Sequence, residues 1–211
     1  GDLLPSYRAL GEQHAVSYAT VRQALNALQE SGLVRIRHGR GTFVAPPKET
    51  LPLQLRSYTE QWLARGRVPG SRLVEMHTEP AELTVAQHLG IEPGAAVLMV
   101  ERLRLAEGTP MALEIAYLEA ARFGGLAGQV GDDVSLYELL QKGWDIKPHS
   151  AEQTIETVLA SPQVAGLLET EAGTPLLLLT RTTRDSAGQP FEFVRSVYRG
   201  DRYRLVATLS P

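Results

Sequence analysis

Arg102 and Arg104 stand two residues apart in Val97 to Leu105, a run that reads as a strand, so both guanidiniums share one face. Glu114 lies on the following hairpin strand, and Glu192 and Tyr198, six residues apart, share a face of a later strand. Val100, Ala112, Ala116, Val194 and Ser196 between them are mostly small or apolar. Two forked guanidiniums match phosphate or carboxylate geometry, and glutamates and a tyrosine suit the hydroxyl or amino groups of a polar ligand. Ser57-Tyr58-Thr59 opens a segment that reads as a helix to Arg65 and would add backbone N–H groups and a favourable dipole. The alternative is a solvated sheet face, where Arg–Glu pairs across strands are routine and worth little. Catalysis has less support. His14, His38, His77, His88 and His149 lack close metal spacing, cysteine is absent, and there is no Gly-x-Ser-x-Gly elbow. Gly39-Arg40-Gly41 lacks the third glycine of a nucleotide loop, and Arg199-Gly200-Asp201 reads as a tight turn.

The elements that would hold these residues form a weak internal repeat, Val74 to Leu118 and Ile155 to Arg199. Each copy reads as a strand, a short helix opened by proline (Pro80 to Leu89; Pro162 to Leu168), a glycine turn and a strand (Val97 to Leu105; Leu176 to Arg184). A Gly-x-Pro hairpin and another strand complete it. Ser135 caps a helix to Lys142 between the copies, and Tyr203 to Leu209 is a last strand. This predicts an α+β domain on an antiparallel sheet.

The N-terminal part differs in charge. Residues 1–45 hold five basic and three acidic groups, against 16 and 21 in the remainder of the 211. Ser6 caps a helix through Gln13, and Ser17 caps a second that runs to about Ser31 with Val21, Leu25 and Leu28 on one face. Leu33 to Arg37 and Thr42 to Val44 then read as a hairpin around the turn His38 to Gly41. Two helices and a basic-tipped hairpin outline a winged helix-turn-helix, whose second helix can enter a major groove; a small packing module has the same outline. Prolines at 46, 47 and 52 mark a linker over 46–52, dividing residues 1–45 from 53–211. No apolar run approaches 18 residues, and the opening Gly-Asp-Leu-Leu-Pro-Ser does not read as a targeting segment, so a cytoplasmic location without membrane contact is expected.

Leu4-Pro5-Ser6-Tyr7-Arg8-Ala9-Leu10, Val16-Ser17-Tyr18-Ala19-Thr20-Val21-Arg22-Gln23-Ala24-Leu25 and Gly39-Arg40-Gly41-Thr42-Phe43-Val44 closely resemble the GntR family of bacterial transcription regulators. The resemblance implies that Arg8, Ser17, Tyr18, Thr20, Arg22, Gly39, Arg40 and Gly41 face operator DNA. Tyr7 stands where glutamate is usual and Tyr18 where arginine is usual. That arginine reads a guanine, a pair worth roughly 1–3 kcal/mol of discrimination, so a shifted or relaxed operator preference is expected. The family has a further helix before the Leu-Pro-Ser motif; its absence here is expected to weaken DNA binding.

From about Leu53 to Leu209 the chain resembles the effector domain of the HutC branch, a chorismate-lyase-like fold, and within it the N-acetylglucosamine-utilisation repressors. The segments are Leu55 to Glu60, Glu101 to Leu105, Pro110 to Glu114, Ser135 to Tyr137, Phe191 to Phe193 and Ser196 to Tyr203. The resemblance implies that Ser57, Tyr58, Thr59, Arg102, Arg104, Ser135 and Tyr137 hold the phosphate region of an amino-sugar 6-phosphate. Glu114, Glu192 and Tyr198 would hold its hydroxyl or amino groups. The expectation is a homodimeric repressor without cofactor or metal, not an enzyme, whose heads occupy two operator half-sites. Its ligand-ordered helix at Ser57 would couple effector to DNA. A different anion (trehalose 6-phosphate, urocanate), a chorismate-lyase-like enzyme and a ligand-independent DNA-binding protein are the rival readings.

Overall fold

The computed structural model describes residues 1–37 and 39–209, and the chain divides into two compact units between Glu49 and Thr50. His38, part of the expected wing turn, lies outside the described residues.

The first unit is helix, helix and wing. Helix α1 spans Tyr7–His14 and ends where Ala15 turns into the left-handed conformation. Helix α2 spans Tyr18–Glu30 and buries Val21 and Leu25. Leu28, placed on the same face by its spacing, remains 38% exposed. Strands β1 (Val34–Arg37) and β2 (Gly41–Val44) pair antiparallel, as the alternating residues require. The N-terminal residues add a pairing that the sequence did not suggest: Leu4 donates to the Thr42 carbonyl at 2.8 Å, and Val44 to that of Asp2 at 2.8 Å. Gly41 has φ +110°, a backbone conformation that side-chain-bearing residues rarely adopt, and this is what calls for glycine there.

The second unit is built on a six-stranded antiparallel sheet of order β4-β5-β6-β9-β8-β7. The strands are β4 (Pro69–Pro80), β5 (Ala96–Ala106), β6 (Thr109–Glu119), β7 (Ser150–Leu159), β8 (Pro175–Arg184) and β9 (Pro190–Arg199). The two repeats occupy opposite halves of the sheet and meet where β6 pairs with β9, giving an approximate two-fold arrangement. Even their irregularities correspond. The register skips Met111 in the first hairpin and Phe191 in the second, and each of these apolar side chains is buried.

Helices cover both faces. Helices α4 (Leu83–Leu89) and α6 (Pro162–Leu167) follow the first strand of each repeat. They pack on one face, α4 against Val97 and Phe193, α6 against Leu103, Leu113 and Leu176. Helices α3 (Tyr58–Leu63) and α5 (Leu136–Trp144) pack on the other, α5 against Val100, Ala116 and Val194 and α3 against Ala112, Leu179 and Tyr198.

The proline-rich segment is only partly a connector. Residues 46–52 were expected as linker, but Glu49–Pro52 forms strand β3, paired with β10 (Tyr203–Val206). The prolines enforce an extended backbone, and an extended backbone with a free edge can pair. Leu51 is fully buried against Tyr58 and Trp62. Leu51→Ala is therefore expected to lower the unfolding free energy by about 2–5 kcal/mol in urea titration. A change below about 0.5 kcal/mol, the level of an exposed linker position, would show that the strand is not part of the core.

Candidate functional site

The face under α3 and α5 gathers the polar residues. Across the ladder Arg102 pairs with Glu114 and Glu114 with Ser196; one row on, Arg104 pairs with Ala112 and Ala112 with Tyr198. One carboxylate oxygen of Glu114 accepts from both guanidiniums, Arg102 Nη2 at 2.8 Å and Arg104 Nη2 at 2.6 Å. All three side chains are buried, Arg102 to 1% exposure. Arg104 also donates to Ser71 Oγ at 3.2 Å and stacks its guanidinium 5.2 Å from the Tyr58 ring centre. Tyr58 is held in turn by its hydroxyl, which donates to the Leu105 carbonyl at 2.9 Å.

A second charged group lies toward the other repeat. The Tyr137 hydroxyl donates to Glu192 Oε2 at 2.8 Å, Thr183 Oγ1 donates to the same oxygen at 3.1 Å, and Arg181 Nη2 donates to the Tyr137 oxygen at 3.2 Å. Ser57, Tyr58, Thr59, Arg102, Arg104, Glu114, Ser135, Tyr137 and Glu192 line one cavity, together with Leu136 and Arg181. The solvated-face alternative is thereby excluded, because the charged side chains lie under helices.

Tyr198 is not among the residues lining the cavity: its ring packs with Tyr58, Trp62 and Tyr203, 4.6 Å from that of Tyr203, while its phenol stays close enough to Glu114, Arg181 and Arg104 to feel their charges. At the start of α3 a capping box takes up two donors, Ser57 N to Glu60 Oε2 at 2.9 Å and Glu60 N to Ser57 Oγ at 3.1 Å, and places a carboxylate there; the Tyr58 and Thr59 N–H groups take no part in it. Arg181 was missed. The signal was the repeat, since Arg181 in β8 occupies the position that Arg102 holds in β5 and points to the same face.

Charge and hydrogen bonding favour an anion. Arg102, Arg104 and Arg181 face Glu114 and Glu192, an excess of one positive charge. Arg102 Nε and Nη1, Arg104 Nε and Arg181 Nε are buried donors without partners among the described residues. Each such donor costs free energy until an acceptor reaches it. The cavity is narrow and partly open, with about 290 Å³ of empty volume including its mouth.

Protonation is fixed by the same contacts. Burial pushes the Glu114 carboxyl up, but Arg104 and Arg102 outweigh it and hold it at about 2. Burial and the like charge of Arg104 bring Arg102 down to about 10, still cationic at neutral pH. Arg104 moves the other way: burial lowers it, but the Glu114 charge and hydrogen bond more than offset that. Burial and Glu192 raise the Tyr137 phenol, which stays a donor.

In the N-terminal unit, Tyr18, Arg22, Gln23 and Asn26 line an open face of α2. Arg8 is exposed and pairs with Glu12 at 3.0 Å, a surface contact that DNA can replace cheaply. Ser17 is the cap of α2, and its Oγ lies 3.0 Å from Thr20 Oγ1. Gly39, Arg40 and Gly41 are exposed at the wing tip.

Because folding depresses the Glu114 pKa from 4.5, its contribution is complete above about pH 4.5 and is lost as pH falls toward 2. Wild type is expected to exceed Glu114→Gln in unfolding free energy at pH 7, with the gap shrinking by about 3 kcal/mol between pH 5 and pH 2 in denaturant titrations. A gap independent of pH would mean that Glu114 is not held ionised by the arginines.

Residues 64–204 match the UTRA domain family, and residues 1–44 match the bacterial regulatory proteins of the gntR family. The HTH-type transcriptional repressor NagR of Bacillus subtilis (strain 168) is 38% identical over 207 residues, covering 96% of this chain and 84% of the relative. The HTH-type transcriptional repressor PhnF of Mycolicibacterium smegmatis is 39% identical over 210 residues, covering 99% and 85%. The crystal structure of PhnF superposes with a TM-score of 0.74 at 38% identity, over 100% of this chain and 92% of that one. No helix among the described residues is long and apolar enough to cross a membrane. These family matches and relatives make the chain a DNA-binding transcriptional regulator with a small-molecule-binding domain rather than an enzyme, and it belongs to the HutC branch of the GntR family of transcriptional repressors.

Proposed function

We propose that the chain represses genes of amino-sugar uptake or catabolism and that glucosamine 6-phosphate or N-acetylglucosamine 6-phosphate controls its grip on the operator. The observation that carries this reading is the set of unpartnered buried guanidinium donors on Arg102, Arg104 and Arg181 beside Glu114 and Glu192. A phosphate satisfies the first kind of group, and the hydroxyl and nitrogen substituents of a sugar satisfy the second. The resemblance of the site segments to the N-acetylglucosamine-utilisation repressors supports the amino-sugar class; by overall identity NagR, at 38%, and PhnF, at 39%, stand level.

In this reading the phosphate competes with Glu114 for the arginines, and the sugar parts the starts of α3 and α5. Helix α3 begins at Tyr58, six residues after β3 ends at Pro52, so its displacement acts on the segment that joins the units. Ligand and operator then bind with opposed preference, and the coupling is reciprocal. In a homodimer both heads move, and a two-half-site operator is released.

Thermal denaturation against glucosamine 6-phosphate, N-acetylglucosamine 6-phosphate, trehalose 6-phosphate, urocanate and inorganic phosphate tests the ligand. An amino-sugar phosphate at about 100 times its Kd is expected to add about 2.7 kcal/mol. The shift should vanish in Arg102→Ala and be largely lost in Arg102→Lys, which keeps the charge but not the fork. The same ligand should weaken operator binding in solution. A shift with another anion alone would reassign the effector, and undiminished operator binding would refute the coupling. Affinity for the ligand should fall as pH drops through about 6, where the phosphate loses its second charge while Arg102, at about 10, keeps its own.

A further inference from the structure

The two helices of the first unit open with the same step, a serine cap followed by a tyrosine: Ser6–Tyr7 at α1 and Ser17–Tyr18 at α2. Each serine is locked by its cap bond, Ala9 N to Ser6 Oγ at 3.2 Å and Thr20 N to Ser17 Oγ at 3.2 Å. Each tyrosine is therefore fixed at the first helical position. The helix starts converge so that the two rings lie 5.4 Å apart between centroids, tilted by 31°. Tyr7 is half-buried and Tyr18 is 61% exposed. Tyr18 also forms the N-terminal end of the open face that continues through Arg22, Gln23 and Asn26.

An exposed ring at a helix start ordinarily samples several rotamers. Contact with Tyr7 narrows that choice before any partner arrives, which lowers the ordering cost of binding. The chemistry of what such a ring reads is restricted. A phenol carries a single O–H donor, so it cannot span O6 and N7 of guanine with two donors as a guanidinium does. Its ring edge is apolar and rigid, the kind of surface that meets the thymine C5-methyl in the major groove.

We propose that Tyr7 and Tyr18 form a base-reading unit: Tyr18 contacts a thymine methyl in each half-site, and Tyr7 is the positioning residue that holds it there. This rests on the reading that the first turns of α2 enter the major groove. Arg22, one turn further along the same face, supplies charge to the neighbouring backbone or bases.

Selection of the full chain on randomised duplex DNA, followed by competition binding at each operator position, tests the pair. Wild type is expected to select thymine at one position of each half-site, preferring it about five- to tenfold over the other bases. Tyr18→Phe should keep that preference and Tyr18→Arg should move it to guanine at the same position. Tyr18→Ala and Tyr7→Ala should flatten it to less than about twofold while binding unrelated duplex as wild type does. Tyr7→Phe, which preserves the ring contact, should restore it. A base profile unchanged in Tyr18→Ala overturns the proposal, and one unchanged in Tyr7→Ala overturns the positioning role. Failure of wild type to select any sequence would remove the reading of α2 as the groove helix itself.

Discussion

The second unit is organised around one costly arrangement, the burial of Arg102 and Arg104 against a single oxygen of Glu114. Taking such charges out of water costs several kcal/mol each, and their mutual attraction at best repays it. Well-packed apolar residues in the same positions would stabilise the sheet as well or better. The neighbouring positions show that the fold can do this, since Val100, Ala112, Ala116 and Val194 fill the rest of that face. The triad is therefore not there for stability, and its unpartnered Nε donors point to an acceptor from outside. Everything above it follows from the need to keep water away from those groups without closing the route to them. Helices α3 and α5 cover the triad from two sides, and Tyr58 lies against Arg104 as a lid that is itself hydrogen-bonded to β5.

Much of this was legible in the residues. Parity along β5 placed Arg102 and Arg104 together, and the Gly-x-Pro hairpins placed Glu114 and Glu192 opposite their partners. The repeat announced the sheet, because hairpins of equal length demand strands of equal length. What could not be read was depth. Parity tells which side chains share a face but not whether helices cover it, and coverage decided between an ion-pair surface and a closed site. Tyr198 has the parity of a site residue, yet its ring belongs to the apolar cluster because Tyr203 from β10 packs against it at a tilt. Arg181 has no sequence neighbour that marks it and becomes visible only when β8 is laid over β5. The β3–β10 pairing joins residues some 150 positions apart, which no local pattern reports.

The first unit is governed by a different economy. It has little core, with Val21, Leu25 and Val34 its buried hydrophobics, so local hydrogen bonds carry more of the specification. Serine caps set both helix starts, Ala15 takes the left-handed conformation that turns α1 into α2, and Gly41 takes the positive φ at which the second strand of the wing begins. These are sequence-local devices, which is why the outline of this unit could be drawn residue by residue. They also fix where the exposed side chains of α2 stand, since a capped start removes the fraying that would otherwise blur the first turn.

The approximate two-fold of the second unit sets the frame of the cavity. A duplicated hairpin gives Arg102 and Arg181 equivalent stations on either side of the β6–β9 seam, but the helices above break the equivalence. One end of the face receives α3, which follows β3, and the other receives α5, which follows the long connection after β6. The cavity lies where they meet, lined by side chains of β5, β6, β8 and β9 below and of both helices above. A group held there would be within reach of both repeats and both helices at once. Both helices are tied to the core from below, α5 through Leu136 and Leu140 and α3 through Tyr58 and the fully buried Trp62. The two differ in connectivity: α3 follows directly on β3, whereas α5 follows the long connection after β6.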